Sequence, residues 1–400
     1  MKARILYVDT GKEWGGGTNS LLLLARGLLQ RGYRVDAAFT HDYAGTTGRV
    51  SKAFTDAGIA FHLLHPAASP WHKTLRELIR LALVFGRDWR ETALHWIDCR
   101  LRVEPMARQL AALARESGAT LLVGNNQPSS NREVLRAGQR AGLPVMLHVR
   151  KTTRLLPAER DLANSVARRI VCVSDSVRSH YIEQGLRADL CITVPNGIDP
   201  ESTNLLPRGE ARARLDLPMD AFVVGTVCSL LPLKCVDHLI EAFAAARPLL
   251  GARAVCVVIG EGRERSRLEL LTRKLGVGDA VRFTGFRDDA VSLLPALDVF
   301  VLASRQEGMP RSILEAMLAE RPVVAANVSG CRDVVTEGET GMLYPQGDVA
   351  QLAARLQTLA GDTALCRRMG ERGRAVVMER YTLATHIDRM AAVIDEVAAQ

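Results

Sequence analysis

The stretch Asp298-Val299-Phe300-Val301-Leu302-Ala303-Ser304-Arg305-Gln306-Glu307-Gly308-Met309-Pro310-Arg311-Ser312-Ile313-Leu314-Glu315 changes character twice. Residues 298–304 form a short apolar run rich in β-branched and aromatic side chains, the composition of a buried strand. Gly308-Met309-Pro310 is turn chemistry, and Pro310 suits the first position of a helix, where a missing N–H costs nothing. The order predicts strand, tight loop and helix, with Glu307 at the strand's carboxyl end and Glu315 about one turn into the helix. In an open parallel sheet that crevice is where ligands bind. The helix start offers free N–H groups and the positive dipole end to an anion such as a diphosphate. Two carboxylates beside it can accept hydrogen bonds from sugar or ribose hydroxyls. On spacing alone, two solvated glutamates are the commoner explanation of such a pair, so the flanking sequence decides.

Outward from this stretch, strand-like runs alternate with helical patterns along the whole chain, which predicts parallel sheets with helices on both faces. In the first half, strands are expected at Arg4–Val8, Arg34–Phe39, Ala60–Leu64, Leu121–Val123, Val145–His148 and Arg169–Val173. In the second half they fall at Phe222–Cys228, Ala254–Ile259, Val281–Thr284, Asp298–Ala303 and Pro322–Ala326, with long helices between them. The helix after the first strand, Asn19 to Arg31, carries Leu21, Leu22, Leu24, Ala25 and Leu28 on one broad face, and Gly32 ends it. The fold class is α/β, with two doubly wound Rossmann-like domains in tandem. Their boundary falls near Pro195-Asn196-Gly197, three turn formers in a row.

Four hundred residues with 48% hydrophobic content suffice for two cores. Charge is uneven. Residues 1–200 hold 28 basic and 18 acidic side chains, and the remainder holds 24 and 26. A basic first half suggests an anionic partner. Aromatics make up only 5% and are not interleaved with basic residues as in single-strand binders, so nucleic acid is not the expected partner. The eight cysteines (Cys99, Cys172, Cys191, Cys228, Cys235, Cys256, Cys331 and Cys366) include no Cys-x-x-Cys, which argues against a zinc cluster or redox pair. The opening residues read as a first strand rather than a signal peptide, and no uninterrupted apolar run is long enough to span a bilayer. A cytoplasmic protein is expected.

The Glu307-to-Glu315 stretch resembles the Glu-x7-Glu signature of the family-4 retaining glycosyltransferases, which have the GT-B fold. The resemblance continues on both sides. Val194-Pro195-Asn196-Gly197-Ile198-Asp199 is similar to that family's interdomain segment, and Lys234 followed by Val236-Asp237-His238-Leu239-Ile240-Glu241-Ala242-Phe243 resembles its phosphate-binding loop and helix. Pro322-Val323-Val324-Ala325-Ala326, Gly330-Cys331-Arg332-Asp333-Val334-Val335 and Gly341-Met342-Leu343 follow in the family's order. The match covers nearly all of the C-terminal half and is thinner over the first half. It implies two Rossmann-like domains facing a central cleft: residues 1–195 binding the acceptor, 196–380 binding a nucleotide sugar, and 381–400 a last helix crossing back to the first domain. Tyr381-Thr382 would be the crossing point.

The resemblance also implies roles. Glu315 would hold the ribose hydroxyls. Glu307 would hold the sugar, helped by the N–H groups of Gly308 and Met309, with Pro310 opening the helix. Lys234 would neutralise the departing diphosphate as a point charge. Gly260 and Gly262 would lie near the nucleotide, and Gly16 and Gly17 would close over the donor from the acceptor-side domain. His148, at a strand end, would lie near the transferred sugar. Two positions depart from the family pattern: Ser229 stands where an arginine is common, and Cys235 where a glycine is usual after the lysine. Arg263 and Arg311 are the candidates to supply the missing charge.

Other readings rest on the residues themselves. Gly15-Gly16-Gly17 suits either a flexible turn or a backbone that approaches a phosphate. Asn125, Asn126 and Ser129 follow another strand end and are candidates for the acceptor side or for an ordinary loop. Arg150, Lys151 and Arg154 are placed at a cleft edge, where an acceptor phosphate is plausible. Gly260-Glu261-Gly262-Arg263 lacks the third glycine of a dinucleotide fingerprint, which excludes NAD. Asp288-Asp289 reads as a helix cap. There is no phosphate loop of the Gly-x4-Gly-Lys-Ser/Thr type, no His-Glu-x-x-His and no Gly-x-Ser-x-Gly elbow. Nothing resembles the Asp-x-Asp metal clamp of the other glycosyltransferase fold, so neither a metal nor a cofactor is expected.

The segment from Trp71 to Arg108 is the least family-like. It carries Trp71, Trp89 and Trp96 with eight basic and five acidic residues. Leu75, Leu78, Ile79, Leu81, Ala82 and Phe85 make an apolar face beside Lys73, Arg76, Arg80 and Arg87. Such a helix can lie in a membrane interface; packing of the same face onto the sheet is the somewhat favoured alternative. The expected activity is transfer of a sugar from a nucleotide-diphosphate sugar to a glycan or lipid-linked acceptor in cell-surface polysaccharide synthesis. Its rivals are a non-catalytic nucleotide-sugar-binding subunit, kept open by Ser229, and a sugar-nucleotide epimerase of similar fold.

Overall fold

The computed structural model describes residues 2–11, 15–45, 48–65, 70–82 and 87–399. Phe85 of the expected apolar face lies outside the described residues. The chain divides into two compact units. The first holds Met1–Val173, Val177–Val194 and Ile387–Gln400; the second holds Ser174–Ser176 and Pro195–His386.

In the first unit, strands β1 (Arg4–Asp9), β2 (Arg34–Phe39), β3 (Ala60–Leu63), β4 (Leu121–Asn125), β5 (Val145–Val149), β6 (Ala167–Cys172) and β7 (Cys191–Thr193) pair in the order β3-β2-β1-β4-β5-β6-β7. All pairs in this sheet are parallel. Its central strands are buried along most of their length, hence their near-continuous apolar sequences. Strand order reverses direction between β1 and β4, and register places Asp9 opposite Asn125 and Asn125 opposite His148. Three polar residues thus stand in one row at the carboxyl ends of three neighbouring strands, where doubly wound sheets bind ligands.

Helix α1 (Gly16–Gln30) follows β1. It starts three residues before the expected Asn19, so Gly16 and Gly17 form its first turn. Helices α2 (Pro70–Ala82) and α3 (Arg87–Asp98) lie between β3 and β4. Packing of the α2 apolar face onto the sheet is not what the fold does: Trp71, Leu75, Leu78 and Leu81 are exposed, as are Trp89 and Trp96 on α3.

The second unit repeats the topology. Strands β8 (Val223–Val227), β9 (Val255–Ile259), β10 (Val281–Gly285), β11 (Val299–Leu302), β12 (Val323–Ala326) and β13 (Gly341–Tyr344) pair in the order β10-β9-β8-β11-β12-β13, all parallel. The direction reverses between β8 and β11. Helix α4 (Val236–Leu250) leaves the β8 end and α5 (Arg311–Leu318) leaves the β11 end. Leu239, Ile240 and Phe243 of α4 pack with Val224, Val299 and Val324 in the core of this unit. Not every strand is followed by a long helix: β10 leads to β11 through turns and a single 3-10 turn at Leu294–Ala296. Asp288-Asp289 therefore caps no helix. Asp289 instead takes Arg287 in a two-pronged pair at 2.8 Å.

Two passages of the chain run beside each other in the second unit. Ile198 bridges Thr382 in parallel, and a Cβ at Gly197 would lie 2.5 Å from the Thr382 carbonyl oxygen. Helix α6 (Leu383–Ala398) begins there. Its residues from Ile387 onward belong to the first unit, where Arg31 bonds Asp388 and the Tyr33 hydroxyl donates to Asp395 at 2.7 Å.

Candidate active site

In the second unit, four loops at the carboxyl end of the sheet meet beside the switch point. The loop after β8 closes with a 3-10 turn at Pro232–Lys234. The loop after β11 is held against it: the Arg305 N–H donates to the Leu233 carbonyl at 2.8 Å. The result is a direct contact between two residues 73 apart in sequence, with Lys234 Nζ 2.6 Å from Glu307 Oε1. Their side chains are 20% and 12% exposed. Burial draws the Lys234 pKa down, but the charge and hydrogen bond of Glu307 outweigh it and leave it above the usual lysine value. The lysine is thus held protonated.

The loop after β9 packs tightly on the loop after β8. Leu230 donates its N–H to the Glu261 carbonyl at 2.9 Å. Gly260 has φ +144°, and a Cβ there would sit 1.9 Å from the Cys228 carbonyl oxygen; one at Gly262 would sit 2.4 Å from that of Leu230. Only glycine permits this approach. The fourth loop follows β12, and Ser329 Oγ donates to the Glu307 carbonyl at 3.3 Å.

Pro310 stands at the N-cap of α5 rather than at its first position, and Glu315 lies one turn in. Burial raises the Glu315 pKa against the opposing charge of Arg311, whose guanidinium is 3.4 Å away. Gly308 and Met309 are buried, and among the described residues their N–H groups meet no protein acceptor. Buried amides in that state take their acceptor from water or from a ligand. The Met309 carbonyl is engaged instead by Asn196 Nδ2 at 3.3 Å.

Of the remaining candidates on this unit, Ser229 and Arg263 are exposed at the loop surface. Arg311 faces Glu315, which takes up part of its charge. Cys235 holds the left-handed conformation at φ 47°, the position where glycine is easier. Burial raises the Cys228 thiol to about 11 against the opposing charge of Lys234, and raises Cys331 as well, with Glu307 adding to the effect. Two neutral thiols therefore flank the ion pair. Donor atoms of Cys235, Asp237 and His238 lie within 4.8 Å of one another. Asp237 is already paired with Arg267 at 3.0 Å, and the Cys235 thiol donates to the Pro232 carbonyl at 3.5 Å.

In the first unit the row Asp9, Asn125, His148 forms a second polar cluster. Asp9 was not singled out from the sequence. Its buried carboxylate accepts from Gly11 N–H at 2.7 Å, Asn125 Nδ2 at 2.7 Å and Asn126 Nδ2 at 3.0 Å. Burial raises its pKa, and these donors together with the Arg150 charge oppose the rise. Arg150 Nε donates to Asn125 Oδ1 at 2.6 Å, and His148 Nδ1 is 3.4 Å from the same guanidinium. Gly17 backs onto Arg150: a Cβ there would lie 3.4 Å from Arg150 Cδ. Asn126 adopts φ 152° to turn its amide toward Asp9. The structure thus brings together Gly17, Asn125, His148 and Arg150. Gly16 is exposed with open space about it. Lys151 and Arg154 are exposed. The signal for Asp9 was present in outline, as an acid closing the apolar run Ile5–Val8 just before Thr10-Gly11.

Comparison with known proteins bears on both units. Residues 207–376 match the model for glycosyl transferases group 1, and residues 14–202 match that for glycosyltransferase family 4. The lipopolysaccharide core biosynthesis glycosyltransferase LpsE of Rhizobium meliloti is 33% identical over 171 residues, 43% of this chain and 49% of that protein. A D-inositol 3-phosphate glycosyltransferase of Streptomyces bingchenggensis is 29% identical over 310 residues, 75% of this chain and 63% of that protein. The chain thus spans about half of the first of these relatives and less than two thirds of the second. Among solved structures, Anabaena HepE in complex with UDP and glucose superposes with TM-score 0.79 at 23% identity, covering 98% of this chain and all of that one. The two share a fold.

Proposed function

Because the chain belongs to the family-4 glycosyltransferases, we propose that it transfers a sugar from a nucleotide-diphosphate sugar to a glycan or lipid-linked acceptor, with retention of configuration. The Lys234–Glu307 contact at the switch point, with Glu315 one turn into α5, is the observation that carries this reading. The donor's diphosphate takes Lys234 in place of Glu307, so negative charge that builds on the leaving group meets a fixed cation, a term that is commonly large in catalysis. Glu307, released, accepts from sugar hydroxyls. The amides of Gly308 and Met309 and the start of α5 donate to the donor's oxygens. Glu315 accepts from the ribose. Ser229, Gly260, Gly262 and Arg263 border the nucleotide, with the two glycines shaping the loops as well.

On the other unit, His148 and Arg150 are assigned to the transferred sugar and the acceptor, with Asn125 and Asp9 positioning Arg150. Gly16 and Gly17 are assigned to the donor phosphates, and Lys151 to an anionic acceptor. The leaving phosphate takes the acceptor's proton, so no protein nucleophile, metal or cofactor is assigned. The product belongs to cell-surface polysaccharide, in keeping with the lipopolysaccharide role in the name of LpsE, and the reaction takes place at the cytoplasmic side of the membrane.

Ser229, exposed where an arginine is common, favours one second reading: a nucleotide-sugar-binding subunit without turnover. The deciding experiment screens uridine, guanosine and adenosine diphosphate sugars by thermal shift, since a ligand of the folded state raises the melting temperature. Each hit is then assayed for release of nucleoside diphosphate with and without glycan acceptors. Acceptor-dependent release supports transfer. Binding without release supports the subunit, and conversion of the donor with no acceptor present makes the protein an epimerase.

A further inference from the structure

The helical pair α2–α3 is turned inside out. Trp71, Leu75, Leu78 and Leu81 run at helical spacing along one side of α2 and are 76%, 38%, 56% and 72% exposed. Trp89 and Trp96, two turns apart on α3, are 78% and 61% exposed. Arg76, His95 and Asp98 of the same helices point the other way. Arg76 pairs with Asp98, which is buried. Asp98 lies 3.8 Å from Arg132, Arg132 lies 3.7 Å from Glu159, and His95 Nδ1 is 3.0 Å from Arg132. Just beyond α3, Arg102 pairs with the buried Glu133. A helix on a globular surface ordinarily turns its apolar stripe to the core and its charges to water. Here buried ion pairs fasten the helices to the unit, and the apolar stripe is left over from folding. Exposed apolar stripes of this kind mark an interaction surface.

We propose that this face docks onto an anionic lipid bilayer, with α2 and α3 lying in the headgroup region. Its chemistry chooses the occupant. Tryptophan is the side chain enriched at membrane interfaces, because its ring is apolar and its N–H is polar. Three of the chain's four tryptophans stand on this face. The segment 71–108 carries eight Lys/Arg against five Asp/Glu, and residues 1–200 carry a net charge of +10. The exposed Arg100 guanidinium lies 5.7 Å from the Trp96 ring, where it can meet a lipid phosphate while the ring enters the interface. A second copy of this chain would cover the apolar stripe but would bring the same positive charge against it. A bilayer rich in anionic lipid satisfies both the stripe and the charge. No residue of this face belongs to the Lys234–Glu307 site, so the docking surface stands apart from the transfer reading.

The test uses the full chain with vesicles of phosphatidylcholine alone or mixed with phosphatidylglycerol. A Trp14→Phe background leaves Trp71, Trp89 and Trp96 as the only emitters. The expected result is co-sedimentation with the anionic vesicles, weakened by salt, together with a shift of tryptophan emission to shorter wavelength. Neutral vesicles should bind much less. A Leu78→Ser/Leu81→Ser/Trp89→Ser variant should keep its melting temperature to within a few degrees, because these side chains are mostly exposed, and lose at least about a hundredfold in partitioning, at roughly tenfold per apolar anchor. Three outcomes overturn the proposal: no sedimentation with anionic vesicles at low salt; sedimentation without an emission shift, which makes the contact purely electrostatic; and concentration-dependent self-association that the triple variant abolishes in the absence of vesicle binding, which gives the face to a second copy.

Discussion

Lys234 Nζ lies 2.6 Å from Glu307 Oε1, so the cation and the carboxylate assigned to two parts of one donor are each other's partner. Both are largely withdrawn from water, and an unpaired charge there is costly. On the assignment proposed above, binding a nucleotide sugar would be an exchange of partners rather than a simple gain of contacts. The diphosphate would replace Glu307 at Lys234, and sugar hydroxyls would replace Lys234 at Glu307. A donor that offers only one of these two replacements would leave a charge stranded, so the expected preference is for complete nucleotide sugars over free nucleoside diphosphates or free sugars.

Lys234→Ala is expected to lower turnover by about a hundredfold, the usual size of a lost charge-stabilising group. It should also lower stability by about 1–3 kcal/mol, because Glu307 is left at 12% exposure without its cation. Released nucleoside diphosphate measures the first effect and thermal melting the second. A folded variant with full activity would refute the assignment of Lys234 to the diphosphate.

Two glycines separate shape from contact. Gly260→Ala puts a methyl group 1.9 Å from the Cys228 carbonyl oxygen at a φ of +144°, so the loops after β8 and β9 must move apart. A loss of about 2–4 kcal/mol is expected, from the clash and the strained backbone together. Gly16→Ala meets nothing within 4 Å and should melt as the parent does. If Gly16 approaches donor phosphates, this variant still weakens donor binding. Equal melting temperatures for Gly260→Ala and the parent would contradict the packing described.

Local patterns were legible in the sequence, and long-range pairings were not. Strand, loop and helix around Glu307 could be read because each is a run of a few residues with its own composition. Strand β7, only three residues long, fell below that signal, whereas β13 is as long as β3, β11 and β12 but opens on a glycine and was not read as a strand. Lys234 and Glu307 were each identified, but a contact across 73 residues has no local trace. Asp9 was missed for the same reason: two of its donors lie 116 and 117 residues away. Periodicity on α2 revealed an apolar face without saying which way it turns. That depended on Asp98, Arg132 and Glu159, whose ion pairs claim the other side.

Asp9 is expected to set the polarity of its cluster. A carboxylate only accepts, so Asn125 must turn Nδ2 toward Asp9 and Oδ1 toward Arg150 Nε. Asp9→Asn introduces a second amide whose NH2 faces other donors. Either that group goes unsatisfied or Asn125 flips and presents NH2 to Arg150. Stability should fall by about 1–3 kcal/mol, the range for a buried polar group left without a partner. Asp9→Asn combined with Asn125→Asp, which exchanges the acceptor and the amide, should recover part of the loss. Melting of the single and double variants measures both, and a single variant as stable as the parent would show that the chain of hydrogen bonds sets nothing.

Glu315→Gln tests the ribose assignment and the burial of the carboxylate at once. The folded-state pKa of Glu315 lies above its ordinary value of 4.5, because burial disfavours the charged form more than Arg311 favours it. A raised carboxyl pKa means that the folded state binds the proton more tightly than the unfolded state. Its contribution to stability is thus fullest below about 4.5 and is lost as pH rises through the folded-state value. Glutamine carries no such charge. The variant should match the parent near pH 4 and melt above it at neutral pH, with the gap widening as pH rises between those limits. Nucleoside diphosphate affinity should fall about tenfold or more, since a hydrogen bond to a charged acceptor is replaced by a neutral one. Glu307→Gln should differ, with turnover lowered more than nucleotide affinity, because its partners are sugar hydroxyls positioned for transfer. Calorimetric binding of the nucleoside diphosphate, measured apart from turnover, separates the two. Equal loss of nucleotide affinity in both variants would contradict the division of roles, and a melting gap that does not change with pH would contradict the buried charge.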